Sequence, residues 1–309
     1  MRRKKARAAK KVRKRGKAMI DGHTRVCGVI GSPVEHTMSP AIHNALAKKL
    51  SHNLVYVPFH VKTGEVAEAV KGAYALNVLG LNVTVPHKKE VMEALAGIDP
   101  LAEKIGAVNT LVRTAEGFKG YNTDMPGLYR AMCSEGIRLE GEEVILLGAG
   151  GAARAVAFLC AEKGVSKVYM LNRSVEKVRA IAREVEEKTG KECICPMALS
   201  DYPGLPDKKY LAIQATSVGL FPDTDKAVIE DEAFYRKIHT GYDLIYKPSN
   251  TRFMQMVRAQ KGEAYHGLKM LLYQGIIAYE LWNGISVSED LAEEVYEILK
   301  EKTGIRDEG

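Results

Sequence analysis

The chain reads Glu143-Val144-Ile145-Leu146-Leu147-Gly148-Ala149-Gly150-Gly151-Ala152-Ala153 near its middle, joining an apolar strand to a glycine-rich turn and the start of an alanine-rich helix. Gly148 permits a tight turn, Gly150 lets backbone N–H groups approach a pyrophosphate, and Ala153 lets helix and strand pack closely. The helix start then offers N–H groups and a positive dipole end to an anion. The run predicts a Rossmann-type, doubly wound dinucleotide-binding domain, with Gly148, Ala149, Gly150, Gly151 and Ala152 at the cofactor.

The end of the next predicted strand, Lys167–Leu171, indicates which dinucleotide is bound. A fold specific for NAD usually has Asp or Glu there to accept a hydrogen bond from the ribose 2′-hydroxyl. This chain instead has Asn172, Arg173 and Ser174, with Lys177 one helical turn further on. A guanidinium can bind a 2′-phosphate bidentately, and an ammonium can add a point charge. We therefore expect NADP(H), held by these four residues.

Short β-rich runs alternate with helical patterns on both sides of this motif, which is typical of α/β domains. Before it, strands are predicted at Val26–Ile30, Leu54–Phe59 and Leu81–Val85, a helix at Ser39–Leu50 with Ser39 as N-cap, a helix at Lys88–Ala96, and a hairpin of Ala107–Arg113 with Phe118–Tyr121. After it, strands are predicted at Cys193–Met197, Tyr210–Gln214 and Tyr242–Ile245, and helices at Leu268–Trp282 and Ser288–Lys302. We expect a substrate domain at 19–123, a Rossmann domain at 124–266, and residues 267–309 packing back on the first.

Polar residues interrupt the first domain at three places. Hydroxyl groups stand at a predicted helix start, Asn82-Val83-Thr84-Val85-Pro86-His87-Lys88 places a lysine just past a strand, and Asn109 and Asp124 follow in later phrases. The carboxyl ends of strands are where ligands bind in open α/β folds. Hydroxyls, amides, a lysine and a carboxylate without metal-ligand spacing suit a polyhydroxylated acidic small molecule, and we expect no metal.

These phrases resemble the shikimate dehydrogenase family. The motifs Asn82–Lys88, Ala107–Thr110, Asn122–Asp124 and Gly148–Ala153 occur in the family's order, and the resemblance spans nearly all of residues 25–302. It implies reversible reduction of 3-dehydroshikimate to shikimate by NADPH, a step in the biosynthesis of aromatic amino acids by the chorismate pathway. It also implies C-terminal helices that fold back onto the first domain.

The resemblance further implies residue roles. Lys88 and Asp124 would be the catalytic pair, because a nearby ammonium can stabilise and protonate the oxygen that becomes negative when a ketone accepts hydride. The two are 36 positions apart, so we expect a cleft between the domains to bring them together; which of them transfers the proton stays open. Thr37 and Ser39 would bind the substrate carboxylate. The remaining implied residues hold the ring hydroxyls (Thr84, Asn109, Tyr246 and Gln274) and the cofactor (Thr216, Leu244 and Gly267).

Some residues depart from the family pattern. Thr37 stands where serine is usual, which keeps the hydroxyl group but adds a methyl group that could shift the preference among acids. An NAD(P)-dependent quinate/shikimate dehydrogenase is therefore the nearest alternative. We interpret His36, His43 and His87 as packing or capping residues.

The net charge of +7 comes from the first residues, because positions 2–17 hold eleven Lys and Arg and no acid, and the rest has 34 basic against 38 acidic side chains. Such a block cannot bury a core and is expected to be disordered over residues 1–18. The segment is expected to be a solvated tail or an extension before a true start at Met19. The alternative is a contact with nucleic acid, which would make the chain a nucleic-acid-binding protein and is the second functional hypothesis.

Five scattered cysteines and the lack of an apolar run of membrane length predict reduced thiols and a cytoplasmic enzyme. A homodimer is a further expectation.

Overall fold

The first of two six-stranded sheets is mixed. A computed structural model describes residues 20–305, so the basic segment lies outside the described residues. The strands of this sheet are β1 (Arg25–Gly31), β2 (Leu54–His60), β3 (Gly80–Val83), β4 (Gly97–Ile98), β5 (Thr110–Arg113) and β6 (Phe118–Tyr121), in the order β2-β1-β3-β5-β6-β4. β1 is parallel to β2 and β3, whereas β5 is antiparallel to β3 and β6, which confirms the predicted hairpin. Helices α1 (Ser39–Leu50), α2 (Val66–Ala75) and α3 (Pro100–Ile105) connect these strands.

The second sheet is wholly parallel. Its strands are β7 (Glu143–Leu147), β8 (Lys167–Asn172), β9 (Ile194–Ala198), β10 (Tyr210–Gln214), β11 (Ile238–Asp243) and β12 (Glu263–His266), in the order β12-β11-β10-β7-β8-β9. The accompanying helices are α4 (Asp124–Ser134), α5 (Gly151–Glu162), α6 (Val175–Thr189), α7 (Glu232–Tyr235) and α8 (Arg252–Ala259). Chain order reverses between β7 and β10, and in open α/β sheets ligands bind at the carboxyl ends beside such a reversal. The predicted Rossmann architecture is confirmed.

The last two helices, α9 (Leu268–Asn283) and α10 (Glu289–Thr303), return to the first domain, as expected. The indole Nε1 of Trp282 donates to the Leu111 carbonyl at 2.9 Å. A Cβ at Gly80 would lie 2.1 Å from that nitrogen, so only glycine fits where the helix crosses β3. Ser288 caps α10 as predicted, accepting from the Leu291 N–H at 3.3 Å. The C-terminal helices are therefore part of the first domain's core.

Three expectations about local structure are wrong, and one strand was not predicted. Ser39 is the first helical residue and Met38 the N-cap, because the Ser39 N–H donates back to Thr37 Oγ1 at 3.3 Å. Only a 3₁₀ turn, Glu90–Ala94, forms within the predicted helix at 88–96. β11 begins at Ile238 through its pairing with β10 and ends at Asp243, so Leu244 and Ile245 lie beyond the sheet. β12 is an unpredicted strand with a single strongly buried residue, Ala264.

No helix among residues 20–305 is long and apolar enough to cross a membrane.

Candidate active site

A groove of about 1020 Å³ runs along the carboxyl ends of the parallel sheet, beside the reversal of strand order. The glycine turn predicted for the cofactor forms one end. The predicted residues that line it are Gly148, Ala149, Gly150, Gly151, Ala152, Asn172, Arg173, Thr216 and Leu244. The groove therefore joins the glycine turn to the strand end that was expected to hold a 2′-phosphate.

Two glycines of the turn are required for different reasons. Gly148 has φ +116°, and a Cβ there would lie 2.9 Å from Thr216 Cγ2, so the protein's own backbone needs glycine. Gly150 has φ −89°, which any residue adopts, and a Cβ there would meet no protein atom within 4 Å. Nothing in the described chain thus requires glycine at position 150. The open space at that position fits a pyrophosphate approaching the start of α5.

Arg173 lies on the groove wall and forms no salt bridge with any other described residue, so its guanidinium is available to an anion. Asn172 Nδ2 donates to the Ser174 carbonyl at 3.0 Å and so shapes the turn before α6. Ser174 and Lys177 do not line the groove. Lys226 and Lys247 do, and sequence reasoning missed both because they lie in loops without a recognisable motif.

A second cavity, of about 380 Å³, opens at the carboxyl end of β3. It is bounded by β3, the loop before α1, the start of α4 and the first turns of α9. The predicted residues that line it are Thr37, Ser39, Thr84, Lys88, Asn109, Asp124, Leu244, Tyr246, Gly267 and Gln274. All eight residues predicted for catalysis and substrate binding therefore face one space.

Lys88 and Asp124 form an ion pair in this cavity, with Nζ and Oδ2 2.6 Å apart. Both side chains are partly exposed, at 30% and 24%. The second carboxylate oxygen, Oδ1, accepts from Asn109 Nδ2 at 2.9 Å. Asp124 is thus fixed through both oxygens, and the ammonium of Lys88 points into a space open to a small molecule.

The end of the first sheet brings this pair together where the two domains meet, since Asp124 is also the first residue of α4. The antiparallel register aligns Asn82 with Thr110, and Thr110 with Tyr121, in one row at the edge of the sheet. Lys88 follows the end of β3 and Asp124 the end of β6, so both lie just beyond that row. The hairpin turns a separation of 36 positions into a direct contact.

A buried network sets the orientation of Asn109. Its Oδ1 accepts from the Thr123 N–H at 2.8 Å and from the Thr110 hydroxyl at 3.1 Å. Because the carbonyl oxygen faces these donors, the amide NH₂ must face Asp124. Asn82 continues the network, accepting from the Tyr56 hydroxyl at 2.7 Å and donating to Thr110 Oγ1 at 3.1 Å. Asn82 and Tyr56 complete the support of the pair, and the sequence prediction gave neither of them a role.

Two close approaches bring the later segments to the cavity. A Cβ at Gly127 would lie 2.6 Å from the Gln274 backbone nitrogen, so α4 and α9 touch there and Gln274 reaches the cavity. A Cβ at Gly267 would lie 2.2 Å from the Leu244 carbonyl oxygen, so this glycine seats the loop after β11. Gly267 is therefore required by packing as well as by its place in the cavity wall.

Leu244 and Tyr246 line both the groove and the cavity, which makes the segment Leu244–Tyr246 the junction of the two spaces. Tyr246 is partly buried, and burial raises the pKa of its phenol. A planar group at the inner end of the groove would lie beside a molecule in the cavity. This juxtaposition is what transfer of a hydride between cofactor and substrate requires.

The three histidines differ in position. His43 is fully buried and stacks on Tyr56 with ring centroids 4.2 Å apart, and His87 Nε2 donates to the Val61 carbonyl at 2.7 Å. His36 is exposed and lines the cavity. Within residues 20–305, no three or more His, Cys, Asp or Glu side chains are grouped so that they could hold a metal ion.

The fold, the glycine turn and the adjoining cavity define a two-domain, dinucleotide-dependent oxidoreductase. Family models match in three places: the shikimate dehydrogenase substrate binding domain at residues 29–111, shikimate/quinate 5-dehydrogenase at 131–217, and the shikimate 5′-dehydrogenase C-terminal domain at 267–295. The chain belongs to the shikimate dehydrogenase family.

Individual relatives agree with this assignment. The chain is 40% identical to a shikimate dehydrogenase (NADP(+)) of Desulforamulus reducens, over 91% of this chain and 97% of that protein. The crystal structure of a shikimate dehydrogenase in complex with NADP+ matches with a TM-score of 0.82 at 37% identity, over 92% of this chain and 97% of the other. Shikimate 5-dehydrogenase of Listeria monocytogenes, in complex with shikimate and NAD, matches with a TM-score of 0.82 at 30% identity, over 89% and 97%.

Proposed function

We propose that this protein catalyses the reversible, NADP(H)-dependent reduction of 3-dehydroshikimate to shikimate. The observation that carries the proposal is the Lys88–Asp124 pair, 2.6 Å apart, in a cavity that meets the cofactor groove at Leu244 and Tyr246. Relatives named shikimate dehydrogenase (NADP(+)) match over about nine tenths of the chain.

Lys88 and Asp124 carry the proton chemistry. When bound, NADPH supplies the hydride that the ketone carbon accepts. Negative charge then develops on the ketone oxygen, and the Lys88 ammonium stabilises that charge and donates the proton. Asp124 holds Lys88 in place, and its own position depends on Asn109. In the direction of oxidation, the pair removes the proton of the hydroxyl group.

The other polar residues of the cavity orient the ring. Thr37 and Ser39 bind the carboxylate through their hydroxyl groups, at the start of α1, where the helix dipole favours negative charge. Thr84, Asn109, Tyr246 and Gln274 hold the ring hydroxyls from different walls of the cavity. Binding from several walls fixes the ring face that meets the nicotinamide.

Arg173 selects NADP(H) by binding the 2′-phosphate. Its position on the groove wall and its lack of a salt-bridge partner among described residues support this role. Asn172 and Ser174 shape the turn, Thr216 lies along the cofactor, and Lys177 contributes a more distant charge.

A two-by-two assay tests the proposed function. Initial rates are measured for oxidation of shikimate and of quinate, each with NADP+ and with NAD+. We expect the highest kcat/KM for shikimate with NADP+. Faster oxidation of quinate with NAD+ would instead assign the chain to the quinate/shikimate alternative. The same assay on Thr37→Ser reports whether the added methyl group sets the preference between the two acids.

We assign residues 19–123 together with 267–309 to the substrate domain and 124–266 to the NADP domain, since the first sheet ends at Tyr121 and α9 returns to it.

A cytoplasmic location and a homodimer stay predictions. All five cysteines are free, which suits a reducing compartment. Sedimentation of the full chain reports the oligomeric state.

Deleting residues 1–18 tests the nucleic-acid alternative. We expect the turnover of the enzyme to be unchanged. If the deletion also abolishes an affinity for RNA, the basic segment has a separate function of its own.

A further inference from the structure

Asp243 is a buried carboxylate with no role in the proposed mechanism. It is the last residue of β11 and its side chain is fully buried. Burial raises its pKa to about 7, although hydrogen bonds from Thr251 and from the backbone oppose that rise. Buried acids are rare unless something compensates their desolvation. The two hydrogen bonds that Asp243 accepts indicate what its carboxylate does.

The carboxylate joins both ends of the loop that follows β11. Oδ1 accepts from the Ile245 N–H at 3.0 Å, two residues further on, and Oδ2 accepts from the Thr251 hydroxyl at 2.6 Å. Thr251 is itself buried and is the N-cap of α8, where its Oγ1 accepts from the Met254 N–H at 3.4 Å. One side chain therefore holds the first turn of the loop and the helix that ends it.

The first of these two attachments lies at the junction of cofactor groove and substrate cavity. Leu244 and Tyr246, which line both spaces, flank the residue whose N–H Asp243 holds. Neighbouring backbone bonds complete the attachment: the Leu244 N–H donates to the Gln214 carbonyl, and the Gly267 N–H to the Ile245 carbonyl, each at 3.0 Å. The Asp243 contacts are the side-chain part of this support.

We propose that Asp243 is a positioning residue for hydride transfer, because its carboxylate, through Ile245 and Thr251, fixes the segment Leu244–Tyr246 against which nicotinamide and substrate are held. It touches neither ligand. The inference rests on the proposed function for its catalytic consequence, whereas the attachment of the loop is a property of the protein alone. A misplacement of about 1 Å in such a wall can cost roughly 100-fold in rate.

Three variants change the attachment in graded steps. Asp243→Ala removes both hydrogen bonds of the carboxylate. Thr251→Val keeps the shape of the side chain and removes the bond to Oδ2 together with the N-cap bond from Met254. Asp243→Asn keeps both, since its carbonyl can accept from Ile245 and its NH₂ can donate to Thr251 Oγ1. Tyr235→Phe is the matched control, because it deletes another buried hydrogen bond of the same domain, from the Tyr235 hydroxyl to the Ile229 carbonyl at 2.7 Å.

Two measurements test the proposal on the full chain. The first is kcat with NADPH labelled at the transferred hydrogen. We expect kcat to fall about 10-fold to 100-fold in Asp243→Ala, less in Thr251→Val and little in Asp243→Asn, with a larger primary isotope effect as hydride transfer becomes limiting. NADPH affinity should change little, because the glycine turn and Arg173 are untouched. A loss of stability alone changes the active fraction and leaves the isotope effect unaltered.

The second measurement is hydrogen–deuterium exchange of the peptide spanning residues 244–250. We expect faster exchange in Thr251→Val and Asp243→Ala, and the wild-type rate in Asp243→Asn and Tyr235→Phe. Exchange unchanged in Thr251→Val overturns the attachment, even if Asp243→Ala fails to fold. Faster exchange with an unchanged isotope effect and kcat overturns the positioning role. If the wild type does not oxidise shikimate, the proposed function fails, and exchange still decides whether the attachment exists.

Discussion

Replacing Lys88 by alanine separates the chemical step from binding and folding. The ammonium is 2.6 Å from Asp124, whose other oxygen stays bound to Asn109, so the carboxylate should keep its place in the variant. The cofactor groove shares no wall with Lys88. The substitution therefore removes one proton donor and leaves both binding spaces formed.

The size of the effect follows from the exposure of the pair. General acid catalysis contributes about 10²-fold to 10⁴-fold. Lys88 is 30% exposed, so water can reach the same oxygen and replace part of the lost donor. We therefore expect kcat to fall by about 10²-fold to 10³-fold, the lower part of that range. A partly exposed ion pair contributes only about 1 kcal/mol or less to folding, so the melting temperature should hardly change.

Steady-state oxidation of shikimate gives kcat, and quenching of protein fluorescence on titration gives the NADPH dissociation constant. Lys89→Ala is the matched control, since Lys89 is the exposed neighbour on the same turn and forms no salt bridge with another described residue. A Lys88→Ala enzyme with the kcat of Lys89→Ala would refute the catalytic role. A parallel rise in the NADPH dissociation constant would mean instead that the groove had been disturbed.

Three further variants test the cofactor groove and the buried acid. Arg173→Ala should weaken NADPH about 10-fold to 100-fold and spare NADH, while Arg179→Ala, on the helix α6 that follows Arg173, changes neither; equal losses for both cofactors contradict the 2′-phosphate assignment. Gly150→Ala should leave the melting temperature unchanged or slightly higher and still weaken NADP(H) binding, whereas Gly148→Ala should destabilise the fold itself; calorimetry and titration together separate the two. Asp243 has a folded pKa of about 7, above its unfolded value, so its contribution to stability is present at low pH and is lost as pH rises through about 7, by on the order of 4 kcal/mol. The melting temperature of Asp243→Asn relative to wild type should therefore rise between about pH 4 and pH 7, and a constant difference would show that the carboxyl is not perturbed.

The cofactor half of the molecule could be predicted from the sequence because its signal is local. Strand, glycine turn and helix are contiguous from Glu143 onward, and β7 has the predicted bounds. The roles of Gly148 and Gly150 also follow from local geometry. Even here one strand was predicted at the wrong residues. The prediction was Tyr242–Ile245, whereas β11 ends at Asp243, because parallel pairing with β10 sets where it begins and ends.

The substrate half depended on long-range pairing, which a single sequence does not display. Residues such as Lys88 and Asp124 were found through motifs of the family, but the place in the sheet where they meet could not be predicted. The register of β3, β5 and β6 determines it. Asn82 stood out in the sequence as part of the polar motif Asn82–Lys88, but its contact with Tyr56 behind the pair could not be seen, since a buried phenol resembles an ordinary core residue.

Because the end of the first sheet and the first residue of α4 form the Lys88–Asp124 pair, the proposed proton-transfer group is made by the protein alone. The Rossmann domain supplies the other half of the reaction through Leu244 and Tyr246, which reach the cavity from outside that sheet. The two halves of the chemistry thus have separate supports: Asn109 and its network for the proton, Asp243 and Thr251 for the junction. A change in either support can lower kcat, but only the second should alter the isotope effect of the hydride without disturbing the ion pair. The geometry of hydride transfer is therefore the property that depends on the attachment of the segment Leu244–Tyr246.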